Sequence, residues 1–243
     1  MNDVVGGDSE NNLDEIDDEG SGNMTYIEAA RKAIDAIRSQ KTIEKEEDKK
    51  IKKYFNDKGI EAIHEMVRRG GYKFEKGGTG NDERQDHYGT NNRDIAYVPG
   101  DPNSWWLYHE LEKLTIEANN ALFQFDIQHV TDPLHYVIYP EPNRPDKTGQ
   151  TREQGGYLDW HMDIGQGNVN RRKLALTVQL SDPNDYEGGV FQCWFGGGGK
   201  FIDLPRQKGD VLVMPTFIMH NVSPITRGER RALVYWTGGE PFK

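Results

Sequence analysis

A chain of 243 residues is long enough for one large domain or two small ones. Its net charge of −10 comes mostly from residues 1–23, which hold eight acids and no Lys or Arg. Without them 32 acids face 30 bases, a balance that excludes the basic stripe needed for nucleic acid, and no apolar run is long enough to span a bilayer.

The first 23 residues are rich in Asp, Glu, Gly, Asn and Ser, cannot bury a core, and are expected to form a disordered acidic tail. One domain is expected over 24–243, helical over 24–122 and β-structured over 123–243. Thr25 and Glu28 have capping-box spacing, and Ile27, Ala30, Ile34 and Ile37 follow at helical intervals. A second helix is expected from about Thr42, carrying Ile51, Tyr54 and Phe55. A third runs over Ile60–Arg69, packing Ile60, Ile63 and Met66, and Gly70-Gly71 stops it. His64 stands there among charged neighbours and reads as surface.

Residues 75–92 are Gly-rich and polar without periodicity, either a disordered connection or a mobile loop over a site. His87 lies in it alone. Asn103-Ser104 then cap an amphipathic helix with Leu107, Leu111, Leu114 and Ala118 on one face. From Phe123 the period becomes two: Phe123, Phe125 and Ile127 alternate with polar residues, and Leu134 to Tyr139 reads as the next strand. His129 and His135 nearby have no ligand-spaced partner and read as packing or hydrogen-bonding residues. The Pro- and charge-rich residues 140–155 form an insertion placed where a lid belongs.

Five further strands are expected: Leu174 to Leu180, Val190 to Phe195, Phe201 to Leu204, Asp210 to Met214, and Arg230 to Trp236. Turn signals such as Asp182-Pro183, Gly188-Gly189 and Lys208-Gly209 separate them. Cys193, the single cysteine, excludes an internal disulfide and fits a reducing, cytoplasmic setting. Its apolar neighbours favour burial over reactivity. Many short strands at this spacing give an α+β class, with a double-stranded β-helix (jelly-roll) core and N-terminal helices on one face.

The chemistry concentrates in His161-Met162-Asp163. Residues two apart on a strand share a face, so an imidazole and a carboxylate leave together. One more imidazole would complete the facial triad of non-haem Fe(II) sites. Gly209 to Pro215, His220-Asn221-Val222-Ser223-Pro224, Arg230 and Trp236 extend the pattern. At this point the sequence resembles the Fe(II)- and 2-oxoglutarate-dependent dioxygenases of the prolyl 4-hydroxylase type, well from Tyr139 to Trp236 and more loosely back to Thr42.

That resemblance implies Fe(II), 2-oxoglutarate and O₂, with ascorbate as an optional addition. It implies His161, Asp163 and His220 as metal ligands and catalytic residues, and Arg230 as the partner of the distal 2-oxoglutarate carboxylate. Tyr139 is the residue implied to touch the co-substrate, with Tyr157 its competitor and packing the plain alternative for both. Trp160 either walls the pocket or fills the core. Relatives that place Ser two residues after the arginine have Ala232 here, which leaves a second co-substrate contact unassigned. Arg231 is expected to point the other way, onto an outer surface.

The implied activity is hydroxylation of a prolyl residue in a peptide or protein, with no nucleic-acid or membrane partner. The alternatives are a dioxygenase of a free amino acid or small metabolite, and a non-catalytic jelly-roll binding module. The alkylated-base repair class is disfavoured, because its second arginine would fall at Trp236.

Overall fold

The computed structural model describes residues 55–77, 91–194 apart from 146, 148 and 150, and 201–242. The acidic tail, the helices expected before Phe55, and His87 lie outside the described residues.

Helix α1 (Asp57–Gly70) starts where Asn56 accepts a hydrogen bond from the Gly59 amide at 3.0 Å and ends at Gly71, whose φ is 61°. Ile60, Ile63, Met66 and Val67 recur at helical spacing and are buried. Three short strands follow, β1 (Phe74–Lys76), β2 (Asn91–Asn92) and β3 (Asp94–Val98), the first two where no strand is expected and the third starting just after Arg93, where the resemblance implies one. β1 and β2 are edge strands of three and two residues, too brief for alternation to register in the sequence. Helix α2 (Trp105–Ala118) turns Leu107, Leu111 and Leu114 inward. Its expected Ser104 cap is replaced: Ser104 donates to the Pro99 carbonyl at 2.6 Å, while Asp101 accepts from the Asn103 amide at 2.8 Å.

No strand forms over Phe123–Ile127. α2 instead runs into a π turn, Asn119–Phe123, which Gln124 ends at φ 57°. The Asn119 side chain then bonds the Phe125 backbone as donor and as acceptor, at 2.9 Å each. The alternating phenylalanines exist because both rings pack together, stacked 6.0 Å apart, rather than because they lie on a ladder.

The remaining strands are β4 (His129–Val130), β5 (Leu134–Tyr139), β6 (Arg144–Pro145), β7 (Thr151–Arg152), β8 (Tyr157–His161), β9 (Arg172–Gln179), β10 (Tyr186–Gly188), β11 (Phe191–Trp194), β12 (Phe201–Asp203), β13 (Val211–Pro215), β14 (Met219–Val222), β15 (Ile225–Gly228) and β16 (Arg230–Gly238). One sheet runs β1-β3-β5-β16-β9-β13, with β4 on β16; a second runs β12-β11-β14-β8-β2. Between them lies a core of Val137, Tyr139, Ala175, Met214 and Trp236 from the first and Leu158, Phe191, Cys193 and Val222 from the second. The helices cover the other face of the larger sheet, where Ile60, Met66, Leu107 and Leu111 meet Tyr136, Ile138, Leu176, Val178, Leu233 and Tyr235.

This double cover decides what the strands mean. Leu176, Val178 and Leu180 of the β9 segment face the helices. The residues between them, including Thr177 and Gln179, are buried too, because their side is roofed by the second sheet rather than by water. The expected insertion at 140–155 is the β6–β7 hairpin. It is tied down by the buried Asp94, which accepts from the amide of Lys147 in the turn at 2.6 Å and pairs with Arg152 at 3.5 Å. Where β5 leaves and β8 begins, the backbones nearly touch: a Cβ on Gly156 would lie 2.5 Å from the Tyr139 Cα. No helix among the described residues is long and apolar enough to cross a membrane.

Candidate metal centre and co-substrate site

His161 closes β8 and stands directly across the ladder from His220 on β14, with ring centroids 4.1 Å apart. A register shift along this pair lets Leu158 and His161, three residues apart, reach the same side. Asp163 follows in the turn. Its amide donates to the Thr216 carbonyl at 2.9 Å, and its carboxylate returns to within 3.4 Å of His161 Nε2 and 3.7 Å of His220 Nε2. Ligand atoms of all three lie within 4.8 Å of one another.

The imidazoles are preset. His161 Nδ1 lies 2.8 Å from the Asp159 carbonyl and His220 Nδ1 2.8 Å from the Ile218 carbonyl. A carbonyl only accepts, so each Nδ1 carries the proton and each Nε2 turns a lone pair toward Asp163. Burial, together with the neighbouring His161, pushes the His220 pKa down to about 4 and keeps it neutral. Burial alone would raise the Asp163 carboxyl, but His220, His161 and Arg172 outweigh it and hold the group well below the usual carboxylate range. Two bare imidazole nitrogens and one carboxylate are a donor set suited to a first-row divalent cation.

Arg230 opens β16 opposite Tyr139, facing the inter-sheet core, and is 1% exposed. Its guanidinium carbon sits 5.0 Å from the Tyr139 ring centre. Nη2 donates to Gln179 Oε1 at 2.8 Å, while Nε and Nη1 are buried with no partner. A buried cation with unmatched donors is costly unless something anionic completes it. Room for the arginine depends on Gly189, where a Cβ would meet Ile225 Cδ1 at 2.5 Å and Arg230 Cδ at 3.0 Å. Tyr157 is only half-buried and leaves β8 on the side away from the buried Leu158. Arg231 does leave the opposite face from Arg230, but not onto an outer surface. The helices cover that face, and Arg231 is half-buried, donating to Glu229 at 2.7 Å and hydrogen-bonded to Tyr136.

Residues 148–238 match the 2OG-Fe(II) oxygenase superfamily. The similarity to that superfamily is confined to this stretch, which holds His161, Asp163, His220 and Arg230. A PKHD-type hydroxylase of Pseudomonas fluorescens is 37% identical over 89 residues, covering 34% of this chain and 38% of the relative. A PKHD-type hydroxylase of Acinetobacter baylyi is 34% identical over 135 residues, covering 54% of this chain and 55% of its own length. The chain thus spans between about two fifths and just over half of these relatives. Among solved structures, a prolyl hydroxylase in complex with a hypoxia inducible factor oxygen degradation domain peptide fragment from Trichoplax adhaerens superposes with a TM-score of 0.58. The match is 16% identical and covers 77% of this chain and 81% of that one. A Pseudomonas putida prolyl-4-hydroxylase gives 0.54 at 18% identity, over 77% and 89%. At such identities the likeness is one of fold. The cofactors that the superfamily name carries, Fe(II) and 2-oxoglutarate, fit the His161–Asp163–His220 cluster and the unmatched Arg230 donors.

Around this candidate site the sequence does not announce Arg172 or Gln179. Arg172 grips Asp132 through two bonds of 2.9 and 2.6 Å, donates to the Asp163 carbonyl at 3.2 Å and lies 4.3 Å over the Trp236 ring. In the sequence it is one of three consecutive bases, with nothing to separate it from surface charge. Trp160 is half-buried against the exposed Phe201 at 5.9 Å, outside the inter-sheet core. Cys193 is buried beside Met214, 4.0 Å between sulfurs, and its thiol is pushed up to about 12 by burial. His129 is exposed. His64 is not a surface residue: it bonds the Tyr136 hydroxyl at 2.8 Å, and burial lowers its pKa.

His135 packs against Trp236 at 4.6 Å and Tyr97 at 4.7 Å, and its Nδ1 is buried without a partner. Burial first, then Arg93 and Arg172, push it down from 6.5 to about 3. The unfolded chain therefore binds this proton more readily. Stability is full above pH ~6.5 and is lost as pH falls toward ~3, by up to ~1.4 kcal/mol per pH unit for this one group. His135→Phe is expected to flatten the thermal midpoint against pH in that window, and an unchanged slope would contradict it.

Proposed function

We propose that the chain is an Fe(II)- and 2-oxoglutarate-dependent hydroxylase of prolyl residues in a peptide or protein. Its two sheets then form the double-stranded β-helix, with the reaction centre at their open end. The observation that carries this is the preset convergence of His161 Nε2, His220 Nε2 and the Asp163 carboxylate. His161, Asp163 and His220 would hold the metal on one side and leave the other open. Bound Fe(II) supplies the redox chemistry by which O₂ oxidises 2-oxoglutarate to succinate and CO₂ and places one oxygen atom in a substrate C–H bond.

The protein's own part is placement. Arg230, buried and short of partners, would take the distal carboxylate of 2-oxoglutarate by charge-assisted hydrogen bonds. Tyr139 flanks that guanidinium and is favoured over Tyr157, which leaves the strand on the far side. The Arg172 grip on the Asp163 carbonyl and the Thr216 contact keep the ligand turn from drifting. The peptide substrate is suggested by a structural neighbour, a prolyl hydroxylase in complex with a peptide fragment.

Aerobic incubation with Fe(II), 2-oxoglutarate and a panel of proline-containing peptides is expected to give succinate together with peptide carrying one added oxygen atom. Succinate coupled to free L-proline but to no peptide would move the substrate to free amino acids. Iron-loaded protein that makes no succinate with any of them would overturn the proposal.

A further inference from the structure

Gln179 ends β9 on the inter-sheet side, opposite Ala232, and is 3% exposed. An amide buried there needs polar partners, since each unsatisfied group costs about 1–3 kcal/mol. One partner is present: Arg230 Nη2 donates to Gln179 Oε1 at 2.8 Å. A guanidinium has donors only, so this contact fixes which end of the amide faces it. The Nε2 end is turned elsewhere, and it makes no hydrogen bond among the described residues. Ala232, across the ladder, offers a methyl and no polar atom. Arg230 Nε and Nη1 are also without partners. Arg230 therefore holds two buried N–H groups without a partner, the Gln179 amide beside them offers a further donor, and a carboxylate, an acceptor at both oxygens, is the ligand that satisfies such a set.

Resting on the co-substrate reading above, we propose that Gln179 is the second contact for the distal carboxylate of 2-oxoglutarate. Its Oε1 positions the Arg230 guanidinium, and its Nε2 donates to the carboxylate. The neutral amide does both without cancelling the arginine's charge, which a Glu in its place would do.

The test is equilibrium binding to Mn(II)-loaded protein by calorimetry, comparing 2-oxoglutarate with 2-oxobutyrate, which keeps the 2-oxo acid and lacks the distal carboxylate. Gln179→Met, close in volume, and Gln179→Leu are expected to weaken 2-oxoglutarate ~10–100-fold. Their 2-oxobutyrate and Mn(II) affinities should stay within about twofold of the parent. Gln179→Glu should lose still more 2-oxoglutarate affinity. Variants that keep the parent's preference for 2-oxoglutarate overturn the role of Gln179 alone, as does equal weakening of both acids, which a purely structural residue would cause. A parent protein that binds the two acids equally overturns the Arg230 reading and this inference with it.

Discussion

Asp163→Ala is expected to leave a folded protein that no longer retains Fe(II). The carboxylate is the one anionic donor of the cluster and the group toward which both Nε2 atoms turn. Removing it leaves two neutral imidazoles, one ligand fewer and no negative charge to offset the cation's own. Partners one shell further out cost ~10–100-fold in metal affinity when removed, so loss of a ligand should exceed that. The fold should survive, because the bonds that hold the ligand turn, the Asp163 amide to the Thr216 carbonyl and Arg172 to the Asp163 carbonyl, are made by the backbone of residue 163 and remain in the variant. Metal content after gel filtration and the thermal midpoint of the metal-free protein check both halves. Retained stoichiometric iron would contradict the assignment.

Arg230→Ala is expected to raise the 2-oxoglutarate requirement ~10²–10⁴-fold, the loss of two hydrogen bonds between charged groups at ~1.5–3 kcal/mol each. Arg230→Lys should recover only part, because an ammonium cannot reproduce the planar fork or hold Gln179 in the same way. Arg231→Ala is the control from the same strand. It removes a partly exposed ion pair to Glu229 and a contact to Tyr136, so it should cost at most ~1 kcal/mol of stability and leave 2-oxoglutarate binding alone. Titrations of 2-oxoglutarate on all three variants decide it; a stronger effect from Arg231 than from Arg230 would place the co-substrate on the wrong face of β16.

Much of this arrangement is legible in the residues. β9, β13 and β16 carry enough alternating apolar positions to be read directly, and α1 announces itself by Ile60, Ile63 and Met66 with a glycine stop. His161 and Asp163 do converge, but not as two positions on one strand face: β8 ends at His161, and Asp163 returns from the turn beyond it. What fails, fails for physical reasons. Alternation says which residues share a face, but not whether that face is wet, so Gln179 and Thr177 look like solvent-facing polar positions although a second sheet covers them. The same ignorance puts Arg231 on an outer surface that the helices in fact occupy. Phe123 and Phe125 imitate a strand, because two rings stacked beyond a π turn have the same spacing as two rings on one side of a ladder. β14, four residues long, is hidden because its buried positions, His220 and Val222, include a ligand rather than two apolar side chains.

The measurement that bears most directly on the centre needs no substrate. Fe(II) followed by 2-oxoglutarate is added under anaerobic conditions, and the visible spectrum is followed for the weak charge-transfer band of a chelated 2-oxo acid. The expected result is a band that saturates with 2-oxoglutarate and is absent in His161→Ala. Well-folded protein that binds Fe(II) and 2-oxoglutarate yet shows no band, or that binds neither, would contradict the assignment of His161, Asp163, His220 and Arg230 to one site.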